Sequence, residues 1–244
     1  MSGHSKWHNI QKTKGAADAK RSAAFTKIAK EILVAVKEGG SGDPANNSRL
    51  ATVIAKAKAA NMPNDNIKRT IDKALGAGST ENFESVTYEG YGPSGVAVIV
   101  EALTDNRQRT APEVRHAFAK CNGTMGAPGC VSWSFDKKGV IAIENEDGDL
   151  DEDTVMMDAM DCGADDFEAE EGGFTVYTDP DAFNDVVKGL EEKGYVFASA
   201  QVEMVPQNYI KLATDDDVRM MEKLLGMLED NEDVQNVWHN WDQE

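Results

Sequence analysis

The spacing of the apolar residues along this chain changes once, near residue 80, from a helical repeat to an alternating one. Before that point they recur every three or four positions, as Phe25, Ile28 and Ile32 do, which places them on one face of a helix. Beyond it, segments 86–91 and 96–103 have the period of half-buried strands. The two patterns occupy separate blocks, so the sequence predicts an α+β fold, with an N-terminal three-helix domain followed by two α/β domains.

Amphipathic helices are predicted in the first block at residues 16–38, 47–60 and 63–75. Gly39 and Gly76 follow the first and third of them, at positions where glycine commonly ends a helix. Residues 77–80 are small or polar and are typical of a linker. We therefore expect a basic three-helix domain at residues 1–78.

A complete βαββαβ unit, the element order of a ferredoxin-like fold, is predicted from residue 139 onward. Its strands are expected at 140–144, 166–169, 174–177 and 195–205, and its helices at 151–162 and 180–193. This unit is the expected third domain, acidic and confined to residues 136–205.

The remaining α/β elements lie on both sides of that unit. Residues 83–135 supply strands and one helix, and the tail supplies strands at 208–212 and 234–239 around a helix at 216–228. We hypothesise a discontinuous domain made of residues 79–135 plus 206–244, with the ferredoxin-like unit inserted into it. The hypothesis requires the tail to pack against residues 83–135.

Charge is divided between the two blocks of the chain. The protein as a whole has a net charge of −18, yet residues 1–75 carry 14 basic and 6 acidic residues, a net of +8, and the remainder carries −26. A basic arm on an acidic protein indicates a polyanionic partner that is met by one end only.

The first 38 residues contain the candidate contacts for such a partner. Candidate phosphate ligands are Lys6, Lys12, Lys14, Lys20, Arg21, Lys27 and Lys30. On the first helix the lysines lie opposite the apolar stripe, and for an isolated helix this arrangement is more often a solvated face. Trp7 is a candidate stacking platform for a base, and it could equally anchor the arm to the helical core.

A second candidate cluster surrounds the helix predicted after residue 109. The sequence Thr-Ala-Pro-Glu at 110–113 fits a capping box, with Thr110 as the N-cap. Arg107, Arg109 and Arg115 lie near this helix start, where a phosphate can bind. Arginines that pair with structural carboxylates are at least as common, and both readings stay open.

Sets of residues that would indicate an enzyme are missing from the sequence. The four histidines are scattered, the three cysteines form no CxxC pair, and no nucleophile, phosphate-loop or dinucleotide motif is found. We therefore expect no catalytic residues, metal, cofactor or small-molecule substrate. No apolar run approaches the roughly 20 residues of a membrane helix, and the expected location is the cytoplasm.

Ten short segments distributed over nearly the whole chain resemble the YebC/PmpR family. They are GHSKW at 3–7, DAKR at 18–21, FTK at 25–27, NMP at 61–63, YEGYGP at 88–93, DNRQRT at 105–110, EVRHAF at 113–118, KGV at 138–140, DVQ at 233–235 and HN at 239–240. The resemblance implies three domains and a nucleic-acid-associated regulator of gene expression. For bacterial members it implies DNA-binding transcriptional control, and for some members, including mitochondrial translational activators, it implies action in translation.

Composition and resemblance together lead to one expected function and one alternative. The expected function is that of a DNA-binding transcriptional regulator. The alternative is a translation factor that associates with the ribosome, with its basic domain on ribosomal RNA and its acidic domains facing basic ribosomal proteins.

Overall fold

A computed structural model describes residues 18–76 and 82–243, with the backbone alone for residues 18–21. The described helices are α1 (Asp18–Gly39), α2 (Ser48–Ala59), α3 (Asn64–Leu75), α4 (Arg107–Lys120), α5 (Glu152–Asp161), α6 (Phe183–Glu192) and α7 (Asp215–Glu229). The described strands are β1 (Glu84–Tyr91), β2 (Ala97–Thr104), β3 (Thr124–Met125), β4 (Phe135–Glu144), β5 (Asp166–Glu170), β6 (Gly173–Thr178), β7 (Phe197–Pro206), β8 (Ile210–Lys211), β9 (Val234–His239) and β10 (Trp241–Asp242). None of these helices is long and apolar enough to cross a membrane.

Helices α1 to α3 form the predicted N-terminal helical domain around one apolar core. Ile32 and Leu50 are fully buried in it. The buried side chain of Asn47 joins α1 to α2, because its Oδ1 accepts from the backbone N–H of Leu50 at 3.0 Å while its Nδ2 donates to the carbonyl oxygen of Ala35 at 2.8 Å. Asn47 is thus both the N-cap of α2 and the residue that fixes the α1–α2 turn.

The second block contains a four-stranded antiparallel sheet in the order β3-β1-β2-β9. Helices α4 and α7 contribute to the core built on this sheet, in which Val98, Phe118 and Leu224 are fully buried. Strand β9, from the C-terminal tail, pairs with β2, and Val98 lies opposite His239. This pairing is the contact that the discontinuous domain requires, and the boundaries at 78, 135 and 205 stay a prediction.

The third unit is ferredoxin-like, as the element order predicts. Its strands form an antiparallel sheet in the order β5-β6-β4-β7, with α5 and α6 in the two crossovers. Strand β4 begins at Phe135, earlier than the predicted residue 140, because residues 135–138 pair with the end of β7. The two α/β units meet in an apolar cluster that includes Ile99, Phe135 and Met204.

The prediction that Thr110 caps α4 is wrong. The helix begins at Arg107, and the N-cap is Asn106, whose Oδ1 accepts from the backbone N–H groups of Gln108 and Arg109 at 3.0 and 3.2 Å. Thr110 is fully buried inside the first turns, where its hydroxyl lies 2.8 Å from a carboxylate oxygen of Asp233. The hydroxyl of Thr110 therefore makes a long-range contact with Asp233 and does not cap the helix.

Replacing Gly90 with alanine is expected to lower the free energy of unfolding by about 1–3 kcal/mol, because overpacking forces backbone shifts. A Cβ at this position in β1 would lie 2.6 Å from the carbonyl oxygen of Thr124 and 3.0 Å from Cα of Met125, both backbone atoms of β3. Urea unfolding measures the change. Gly226→Ala in α7 is the matched control, since nothing lies within 4 Å of its Cβ position and alanine stabilises a helix by about 0.5–1 kcal/mol over glycine. Equal stability of the Gly90→Ala protein and the parent would contradict the close approach of β3.

Candidate nucleic-acid interface

The structure describes only part of the predicted lysine-rich interface. Lys6, Trp7, Lys12 and Lys14 lie outside the described residues. Lys20 and Arg21 belong to the first turn of α1, and for them the backbone alone is described. Among the predicted phosphate ligands, the structure therefore describes the side chains of Lys27 and Lys30.

Both of these lysines contact the C-terminal segment 229–233. The ammonium group of Lys27 donates to the backbone carbonyl of Glu229, the last residue of α7, at 2.6 Å. Burial lowers the pKa of Lys27, and the nearby Glu229 and Asp230 partly offset this effect. Lys30 donates to the carbonyl oxygen of Glu232 at 2.8 Å and to Oδ1 of Asp233 at 2.9 Å. This stretch of α1 is thus joined to the tail of the protein.

Asp233 is the centre of this junction. Its side chain is 4% exposed, and its Oδ2 accepts from Arg109 at 2.6 Å and lies 3.2 and 2.8 Å from the hydroxyls of Thr104 and Thr110. Burial alone would raise the pKa of this carboxyl group, but the hydrogen bonds from Arg109, Lys30 and Thr110 outweigh burial and lower the pKa to about 2. Asp233 is therefore a carboxylate at neutral pH, and it links α1, α4 and the tail.

Two of the three arginines near the start of α4 have carboxylate partners inside the chain. Nε of Arg107 lies 2.7 Å from Glu84, and Arg109 contacts Asp105 at 2.9 Å as well as Asp233. Arg115 is exposed on the same helix. The alternative in which these arginines serve structural carboxylates thus has direct contacts for Arg107 and Arg109, and a phosphate contact by any of the three stays a prediction.

A cleft of about 960 Å³ opens beside this junction, between α1, α4 and the tail. Its wall contains Lys30, Arg109 and His116, but it also contains the carboxylates Asp105, Glu113, Asp230, Glu232 and Asp233. Because acidic groups outnumber basic ones, the cleft does not favour a phosphate. The cleft is a junction between units of the fold, and its wall includes Lys30 and Arg109 from the predicted phosphate contacts.

Exposed basic residues are also found on the other two helices of the N-terminal domain. Lys58 on α2 and Lys68 and Arg69 on α3 are exposed, whereas Lys56 is only partly exposed and pairs with Glu31 at 2.7 Å. Arg49 pairs with Glu38. These side chains extend the basic surface of the domain beyond α1, and they can attract a polyanion without any fixed geometry.

Sequence reasoning missed Asp233 as a residue that organises this region. In the sequence it belongs to the DVQ segment at 233–235, and its charge is one among many in an acidic tail. The sequence signal that could have identified Asp233 is its place directly before the tail strand β9, which pairs with β2. Its partners Lys30 and Arg109 lie 203 and 124 residues away in the sequence.

Within residues 18–76 and 82–243, no group of three or more His, Cys, Asp or Glu side chains could hold a metal ion. The three cysteines are free, and Cys121 is fully buried beside α7. In each of them burial raises the pKa of the thiol. These thiols are therefore protonated packing residues at neutral pH.

The fold and this junction define a class of protein: a basic three-helix domain joined to two acidic α/β units, the second of them ferredoxin-like. The family model of the TACO1/YebC N-terminal domain matches residues 5–77, and the model of the TACO1/YebC second and third domain matches residues 83–241. The chain belongs to the TACO1/YebC family.

Relatives and a solved structure agree with this assignment. A probable transcriptional regulatory protein of Geobacillus sp. strain WCH70 is 54% identical over 243 residues, which cover 100% of this chain and 98% of the relative. A protein of the same description from Acetivibrio thermocellus is 56% identical over 241 residues, or 99% of each chain. The crystal structure of a conserved hypothetical protein from Aquifex aeolicus superposes with a TM-score of 0.86 at 40% identity, covering 98% of this chain and 97% of the other.

Proposed function

We propose that this protein is a DNA-binding transcriptional regulator that holds phosphates with the N-terminal end of α1 and the residues before it. The observation that carries the proposal is the charge division: residues 1–75 have a net charge of +8 and the remainder has −26. A DNA backbone is attracted by the first part and repelled by the second, so the binding end of the molecule is defined by electrostatics. The description of close relatives as probable transcriptional regulatory proteins supports the same proposal.

The proposed contacts are Lys6, Lys12, Lys14, Lys20 and Arg21, and Trp7 either stacks on a base or anchors the arm to the helical core. Lys27 and Lys30 are left out, because they donate to segment 229–233. Lys20 is seven residues before Lys27 on the same helix, about 10 Å along its axis. The contacts with the tail therefore hold α1 at its middle while Lys20 and Arg21 lie about two turns closer to its N-terminus.

The expected mode of binding is contact with phosphates. Lysines on a helix face and in the preceding basic segment neutralise phosphates irrespective of sequence. No base-reading side chain is assigned, so the proposal predicts affinity that depends steeply on salt and only weakly on DNA sequence.

Reversing the charge of Lys20 and Arg21 together, as Lys20→Glu with Arg21→Glu, is expected to weaken binding to duplex DNA roughly tenfold or more. For five phosphate contacts, log K should fall with log salt at a slope of about −4 to −5, and the variant should lose about 2 from the magnitude of that slope. Fluorescence anisotropy with a labelled duplex at several salt concentrations measures both quantities.

A variant with the same change in charge elsewhere on the domain provides the control. Lys58→Glu with Lys68→Glu alters two exposed residues of α2 and α3, so it tests the general electrostatic effect of four charge units. We expect this control to weaken binding less and to change the slope less. If both variants bind DNA as the parent does, the face at the start of α1 has no part in binding.

A second candidate function is favoured by the size of the acidic portion. A particle that contains both RNA and basic proteins can attract both ends of this molecule, whereas naked DNA attracts only one. Co-sedimentation of the protein with ribosomes that survives DNase treatment but not RNase treatment would support this translation factor. A specific footprint on promoter DNA would support the transcriptional regulator.

A further inference from the structure

Helix α5 of the ferredoxin-like unit exposes an apolar surface made of three methionines. Met156 is 39% exposed, Met157 is 64% exposed and Met160 is 41% exposed. Because residues three and four apart lie on the same side of a helix, Met160 lies beside both Met156 and Met157. On the other side of the helix, Val155 and Ala159 are fully buried in the core. The methionines are thus not needed to hold the helix on its sheet.

The position of this helix is fixed by contacts away from the methionines. The carboxylate of Asp158 accepts from the ammonium group of Lys193 at 2.5 Å and from the hydroxyl of Tyr195 at 2.7 Å. The cap of the helix is also formed, since Asp151 accepts from the backbone N–H of Thr154 at 3.0 Å. The methionine surface is therefore already formed in the free protein.

The stretch of chain that carries this surface has one sign of charge, and Lys193, which comes from a later segment, is paired with Asp158 on α5. Residues 139–187 contain 17 Asp or Glu and no Lys, Arg or His. On α5 itself Glu152, Asp153 and Asp161 are exposed at the two ends of the methionine group. Nucleic acid is repelled by such a surface, and so is the same surface on a second copy of the chain.

We propose that Met156, Met157 and Met160, with the acidic residues beside them, bind a basic amphipathic helix of another protein. Methionine side chains are unbranched and polarizable, so they pack against apolar side chains of varied shape. The carboxylates at both ends of the group are complementary to lysines or arginines that flank an apolar stripe. This inference does not depend on the proposed DNA contacts, which lie on a different domain.

The test uses the full chain with methyl-¹³C methionine and a synthetic peptide of leucine and lysine. In the probe peptide the leucines recur at helical spacing, and in its control the same residues are scrambled so that no apolar face exists. We expect the helical peptide to shift the methyl signals of Met157 and Met160, and the scrambled peptide to bind at least about tenfold more weakly. Shifts confined to other methionines, or equal binding of the two peptides, would overturn the proposal.

Two variants separate this surface from general apolar exposure. Met157→Gln with Met160→Gln removes the most exposed pair and is expected to weaken peptide binding roughly tenfold. Leu75→Gln, at a leucine of α3 that is 56% exposed, is expected to bind the peptide as the parent does. Duplex DNA binding should be unchanged in all three proteins, so a failure here is distinct from a failure of the DNA proposal. If instead the parent self-associates and the double variant does not, the surface is an interface between copies and the proposal is wrong.

Discussion

Replacing Asp233 with alanine is expected to lower the free energy of unfolding by about 3 kcal/mol, because it leaves the partners of a buried charge without an acceptor. Thr104 and Thr110 are fully buried and lose the carboxylate oxygen beside them. Lys30 and Arg109 are 14% and 45% exposed in their side chains, so water can partly replace the lost contact. For this reason we expect a value at the lower end of the range for a broken buried ion pair. Urea unfolding followed by far-ultraviolet circular dichroism measures the change.

Glu232→Ala is the matched control for this substitution. It removes a neighbouring charge of the same sign, but Lys30 contacts only the backbone carbonyl of Glu232, and the side chain is exposed. We expect the control to change stability by less than about 0.5 kcal/mol, as is usual for surface substitutions. If the two variants were equally stable, the contacts of Asp233 would contribute nothing measurable to the fold.

The same carboxylate implies a dependence of stability on pH. The pKa of Asp233 is lowered to about 2 in the folded protein, against about 3.9 for an unfolded aspartate. A group whose pKa is lower in the folded state stabilises the fold fully above its unfolded pKa, and that stabilisation is lost as the pH falls through the folded value. The stability difference between the parent and the Asp233→Ala protein should therefore shrink between about pH 4 and pH 2.

Residue periodicity was sufficient for much of the fold. Helix α1 carries an apolar stripe from Phe25 to Val36, about three turns, and ends at the first of two glycines, so local pattern and tertiary packing agree. The βαββαβ order was likewise readable, and the sheet order β5-β6-β4-β7 follows from it because ferredoxin-like units pair their strands in that way. The start of α4 was not readable. The pattern predicted Thr110 as the cap, whereas Asn106 forms it and the hydroxyl of Thr110 contacts Asp233, 123 residues away.

The candidate interface was predictable only as a set of charges. A helical wheel places Lys27 and Lys30 opposite the apolar stripe, and it cannot show that residues 229–233 lie against them. The separation along the chain is 202 residues for both contacts to backbone carbonyls. Backbone acceptors carry no sequence signal, since any residue at 229 or 232 would supply the same carbonyl. Charge counting therefore found the basic domain, and it could not show that Lys27 and Lys30 have acceptors inside the chain.

Glu89 provides a second buried carboxylate that sequence reasoning did not identify, and its replacement with alanine is expected to cost about 3 kcal/mol of unfolding free energy. Its two carboxylate oxygens accept from the backbone N–H groups of Gly129, Val131 and Ser132 at 2.8, 2.8 and 2.9 Å. Burial alone would raise the pKa of Glu89, and these three hydrogen bonds together lower it. Without the carboxylate, three backbone N–H groups lose their acceptor at once. A backbone N–H cannot turn toward another acceptor unless the chain itself moves.

The Glu89→Ala substitution should destabilise one segment more than the rest of the fold, because the three amides all belong to the segment between β3 and β4. That segment also supplies the carbonyl oxygen of Cys130, which accepts from the hydroxyl of Tyr91 and the indole N–H of Trp133, both at 2.9 Å. Hydrogen exchange should therefore speed up at residues 129–132 in the Glu89→Ala protein. Amides in the core of α7 should exchange faster only by the amount that the lower global stability explains. Glu89→Gln retains one acceptor oxygen and should lose about half as much stability. Uniform acceleration across the whole protein would contradict a local role, since it would mean that the segment opens only when the fold does.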